Sequence, residues 1–162
     1  MKTLIIIRHS KAEKGSGRDI DRHLTETGHR DAIQVAELLK SKGYEIDKIL
    51  SSNSERTKRT TQLFSGVLGI DNDAVFFFES LYLADVLGIS ETIELYGGSK
   101  ANTLAVVGHN PGVTNFVTDL THTSIDNIPT SGVAVMEVDL EDWAQLGSAG
   151  KKLVATFSPK DL

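Results

Sequence analysis

Three short apolar runs in this chain end in residues that a buried strand does not need. Leu4 to Ile7 is apolar and β-branched, and it runs straight into Arg8 and His9. The run "IDKIL" gives way to "SSNSER", which carries Arg56, and Leu104 to Val107 gives way to "GHN", which carries His109. A buried strand gains nothing from an adjacent guanidinium or imidazole unless something satisfies it. In open α/β sheets, ligands gather outside the carboxyl ends of parallel strands. Parallel pairing of the three runs would therefore bring Arg8, His9, Arg56 and His109 to one rim. Two permanently charged, planar guanidiniums and two imidazoles cluster around an anion, and phosphate is the guest they fit best. The chain has no Walker loop to hold phosphate by its backbone, so side chains must supply the charge. A neutral imidazole aimed at phosphorus is also a nucleophile.

Each residue has a plainer reading. His9 could be a satisfied core histidine. Arg8 could pair with an acidic residue such as Asp19. Arg56 and Arg59 lie one helical turn apart and could share a solvated face. His109 could ligate a metal, but His23, His29 and His122 offer no HExxH-like spacing to complete such a site.

The elements that must hold these residues follow from periodicity. "LTETGHRDAIQVAELLKSKG" places Ala32, Val35, Ala36 and Leu39 on one helical face, with Thr25 as N-cap and Gly43 as stop. "SERTKRTTQLFSGVLG" predicts a helix ending at Gly69, "AVFFFE" a strand, and Val86 to Tyr96 a weaker helix. A helix of about ten residues follows from Pro111, a residue suited to the first turn. "SGVAVMEVDL" and "KKLVATFSP" predict two antiparallel strands, because no helix-length segment separates them. The alternation predicts an α/β three-layer sandwich: a mostly parallel central sheet, helices on both faces and an antiparallel edge.

With 162 residues and 40% hydrophobic content, the chain is expected to form a single domain, residues 1–162. The absence of cysteine removes disulfides, thiolate metal sites and a cysteine nucleophile, and fits a cytoplasmic setting. Four strongly apolar residues before Arg8 are too few for a signal sequence or a membrane span. A net charge of -5 argues against a non-specific grip on nucleic acid. An anion must be held by a local positive cluster against the overall field.

"RHS" after the first strand, "SSNSER" followed by "TKRT", and "GHNPG" after a later strand together resemble the histidine phosphatase superfamily. The short length, "RDIDRHLTETG" and the lidless middle resemble most closely the SixA-type phosphohistidine phosphatases. Ser10 stands where glycine is usual, and Asn53 and His23 where proline is common. The resemblance implies a metal-independent, cofactor-free phosphatase in which His9 becomes phosphorylated while Arg8, Arg56 and His109 hold the phosphoryl group. It adds Arg22, Ser10 and Asn110 as substrate-binding residues, although Arg22 could equally form a salt bridge with Asp19 or Asp21. Glu79, in "FFFESLY", sits where larger relatives carry a proton donor. The expected substrate is a phosphorylated protein such as a histidine phosphotransfer domain, with a small phosphate ester as the alternative. A catalytically silent domain that binds phosphate or a phosphoprotein is the third reading. The protein is expected to act as a monomer, without nucleic acid or membrane partners.

Overall fold

The computed structural model describes residues 1–15 and 17–162; Ser16, in the polar loop expected after the first strand, lies outside the described residues. Six strands form one sheet: β1 (Lys2–Arg8), β2 (Lys48–Ser52), β3 (Val75–Phe78), β4 (Thr103–Gly108), β5 (Val133–Val138) and β6 (Lys151–Phe157). Their order is β3-β2-β4-β1-β5-β6. The first four are parallel, and β5 and β6 close the sheet as an antiparallel edge.

Four helices cover the two faces: α1 (Glu26–Ser41), α2 (Glu55–Leu68), α3 (Val86–Tyr96) and α4 (Gly112–Thr121). Successive strand residues point to opposite faces, and the core divides accordingly. Ile5, Ile7, Ala105 and Val107 pack against Ala32, Val35, Ala36 and Leu39 of α1 and Phe64 of α2. Leu4, Ile6, Leu104 and Val106 pack against Ile89 and Ile93 of α3 and Val113, Phe116 and Val117 of α4. Leu4 to Ile7 are completely buried, each stabilising the fold by roughly 1.5–3 kcal/mol. Such a strand needs no polar alternation, because neither face meets water.

The helix boundaries follow local chemistry. The Thr25 hydroxyl accepts the Gly28 amide at 2.9 Å, and Ser54 does the same for Thr57 at 3.3 Å. Each cap satisfies a donor that the first turn leaves without a partner. Gly43 and Gly69 take positive φ values of 85° and 69° just past α1 and α2, which explains both stops. Pro111 stands immediately before the first residue of α4 rather than inside its first turn. No helix among the described residues is long and apolar enough to cross a membrane.

Candidate active site

Strand register assembles the cluster. Arg8 pairs with Gly108, so β1 and β4 end side by side, and the His9 amide donates to the Gly108 carbonyl at 3.1 Å. His9 and His109 are thus the first residues beyond two neighbouring strand ends, and their ring centroids lie 5.4 Å apart. β2 lies on the other side of β4, and Ser52 at its end meets the His109 Nε2 at 2.8 Å. Three residues later α2 begins, bringing Arg56 to the same rim on its first turn. The four residues line one cleft of about 530 Å³, together with Arg22, Asn110, Asp19 and others.

Hydrogen bonding fixes both imidazole tautomers. The Nδ1 of His9 lies 2.7 Å from the Ser10 carbonyl, which can only accept, so Nδ1 carries the proton and Nε2 keeps its lone pair. Burial, reinforced by Arg56, Arg8 and Arg22, outweighs that bond and lowers the His9 pKa from 6.5 to about 4. The Nδ1 of His109 lies 3.3 Å from a guanidinium nitrogen of Arg56, which can only donate. His109 is therefore neutral at Nδ1 and donates from Nε2 to Ser52. Burial and Arg56 lower its pKa to about 3. Both rings are neutral near pH 7.

The guanidiniums are incompletely matched by protein acceptors. Arg8 donates to the Ile128 carbonyl at 3.1 Å, and its buried Nε has no partner among the described residues. Burial and the neighbouring Arg56 lower the Arg8 pKa, the signature of a cation in need of an anion. Arg56 is 2% exposed and donates to the carbonyl and carboxylate of Asp19 at 2.8 and 3.0 Å; its buried Nε is likewise unpartnered among the described residues. Asp19 also accepts from Arg22 Nε at 3.1 Å and from the Tyr82 hydroxyl. Tyr82 first, then Arg56 and Arg22, hold the Asp19 carboxyl at about 2, so it is ionised.

The model for the histidine phosphatase superfamily (branch 1) matches residues 4–75, the segment carrying Arg8, His9, Arg22 and Arg56. An uncharacterised chloroplastic protein of Arabidopsis thaliana is 30% identical over 171 residues, covering 98% of this chain and 78% of the relative. The chain belongs to the histidine phosphatase superfamily. Among solved structures, the putative phosphohistidine phosphatase SixA from Nakamurella multipartitia matches with a TM-score of 0.82 at 26% identity, covering 98% of this chain and 96% of that one. The one from Agrobacterium tumefaciens matches at 0.78 and 26%, covering 98% and 99%. A protein histidine phosphatase SixA complexed with tungstate shares the fold at 0.84, with 22% identity and 98% of each chain covered.

Two of the candidate residues, Ser10 and Glu79, lie away from the lining of the cleft. Ser10 does not face the cleft. It is completely buried behind His9, its amide donating to Thr60 Oγ1 at 2.9 Å and its hydroxyl to the Gly28 carbonyl at 2.5 Å, with Ser131 Oγ also bonded to it. Its carbonyl orients His9, so Ser10 is a positioning residue. Glu79 does not line the cleft either; it is exposed on a short turn after β3. Arg8 does not pair with Asp19, whose partners are Arg22 and Arg56. Arg59, the alternative to Arg56, turns outward to His29 and Gln62.

Arg22 and Asn110 do line the cleft. Asn110 is tied to α4 by bonds from Thr114 and to the Ile128 carbonyl at 2.9 Å. The sequence reading missed Tyr82 and Ser52 as partners, and Lys11, Lys14, Leu83 and Thr130 as lining residues. None stands in a pattern that chemistry alone singles out.

Proposed function

We propose that this phosphatase removes the phosphoryl group from phosphohistidine carried on a protein, through a phosphohistidine formed on His9. The observation that carries this reading is the acid-base content of the cleft. Among the described residues it offers a neutral imidazole whose Nε2 keeps its lone pair, and the one lining carboxyl, Asp19, is ionised and has no proton to give. An alkoxide leaving group needs a proton in the transition state, whereas the imidazole of a phosphohistidine, protonated from solvent on its other nitrogen, departs as a neutral ring without an acid from the enzyme. The names of the SixA neighbours from Nakamurella and Agrobacterium support the same substrate class.

In the first step, His9 Nε2 attacks phosphorus in line, the bond from phosphorus to the substrate imidazole breaks, and that imidazole keeps the electron pair. The Ser10 carbonyl accepts from Nδ1–H and stabilises the positive charge arising on the His9 ring. Arg8 and Arg56 hold the equatorial oxygens, over which charge spreads. His109 acts through Arg56: its Nδ1 accepts from a terminal nitrogen of that guanidinium while its Nε2 donates to Ser52, which keeps Arg56 aimed into the cleft. Water then attacks the phosphorus, the bond to Nε2 breaks, and phosphate leaves.

A comparison of a phosphohistidine protein with alkyl phosphate esters, each with and without EDTA, tests this reading. The expected result is a kcat/KM at least a hundredfold higher on phosphohistidine and no effect of EDTA, because guanidiniums supply the charge. Equal or faster cleavage of the esters would contradict it and favour a small-molecule phosphatase.

A further inference from the structure

Residue 19 occupies Arg56 in the way an oxyanion would. Its carbonyl takes one terminal nitrogen at 2.8 Å and its Oδ2 takes the other at 3.0 Å. Its Oδ1 takes Arg22 Nε at 3.1 Å. The Tyr82 hydroxyl donates to Oδ2, the same oxygen that serves Arg56, and the Tyr82 ring stands edge-on to His109 at 5.4 Å. The cleft thus contains its own anion, built from the loop after β1 and the turn after β3, on two of the arginines proposed to receive phosphate.

We propose that Asp19 is an internal counter-ion that competes with phosphate for Arg56 and Arg22, and that Tyr82 moderates the competition by sharing the charge on Oδ2. Both are positioning residues acting through arginine. The inference deepens the proposed function and rests on the same phosphoryl site. A carboxylate on Arg56 keeps that buried guanidinium aligned, since its N–H groups point along fixed directions. It also weakens the hold on every oxyanion, product included, because each must share or displace the carboxylate's donors. A site of unopposed arginines would retain inorganic phosphate after hydrolysis; the counter-ion favours its release. Without the Tyr82 hydroxyl, the full charge on Oδ2 returns to Arg56 and the competition strengthens.

The two residues therefore have opposite effects on oxyanion affinity, which a scaffolding role does not produce. The test measures inhibition constants of inorganic phosphate and vanadate, with melting curves, for the wild type, Asp19→Asn and Tyr82→Phe. Asp19→Asn keeps the size and an acceptor oxygen but removes the charge, and should tighten both oxyanions by about fivefold, the scale of a partly exposed ion pair. Tyr82→Phe should weaken both by about threefold. Unchanged or weaker binding in folded Asp19→Asn, or unchanged binding in Tyr82→Phe, would overturn the proposal while leaving the phosphatase reading intact. Failure of the wild type to bind either oxyanion would overturn both readings together.

Discussion

At His9, burial and three arginines oppose the bond to the Ser10 carbonyl, and the balance leaves the ring neutral down to about pH 4. A neutral ring with Nδ1 protonated presents its lone pair at Nε2, so nucleophilicity follows from tautomer and burial together. For the free enzyme, the acidic limb of kcat/KM on an aryl phosphate, once the substrate's own second ionisation is divided out, should fall near pH 4; a limb at the usual histidine value of 6.5 would show that His9 is not shielded as described. Arg8→Ala and Arg56→Ala should each lower kcat on the order of a hundredfold or more, as loss of one preorganised donor does. Glu79→Gln should change kcat/KM less than threefold on both phosphohistidine and esters, because Glu79 is exposed outside the cleft. A steep loss on esters alone would restore Glu79 as their proton donor.

At the scale of elements, the loop carrying His9 is held against the start of α1. The Lys11 carbonyl accepts the Thr25 amide at 2.9 Å, and a Cβ on Gly28 would lie 2.1 Å from that carbonyl oxygen. Gly28→Ala should therefore push the loop off the helix, costing about 1–3 kcal/mol and lowering the melting temperature by several degrees. Calorimetry would check it; an unchanged melting temperature would mean that the loop gives way freely. The strands and helices were legible because their signals are local: burial on both faces of β1 and β4, caps at Thr25 and Ser54, stops at Gly43 and Gly69. The four cationic and imidazole residues were legible because each interrupts an apolar strand or opens the next helix. Tyr82 was not, because it meets Asp19 across 63 positions through two irregular segments. The surroundings of Ser10 were hidden for a related reason: a small residue beside a nucleophile looks like a ligand contact, and Gly28 and Ser131, which close around it, are distant in sequence.

For the whole molecule, the cluster makes stability depend on pH. His9 and His109 bind protons only near pH 4 and 3 when folded, whereas unfolded histidines bind them near 6.5. The folded state thus holds fewer protons, and stability present above pH 6.5 is lost as the pH falls toward 4. Asp19, held near 2, adds a further loss only below its ordinary value of 3.8. Denaturation across this range should show a shallower slope for His109→Gln than for the wild type; equal slopes would contradict the buried, neutral ring. A chain of net charge -5 that nevertheless gathers Arg8, Arg22 and Arg56 around one cleft concentrates its positive field where phosphorus is to be attacked. The most direct measurement is a rapid-quench reaction with a phosphohistidine protein in EDTA, followed by localisation of the phosphoryl group on the enzyme. The account predicts an acid-labile, alkali-stable phosphoryl group on His9, absent in His9→Ala together with turnover. Phosphate release with the label on another residue, or continued turnover in His9→Ala, would contradict it.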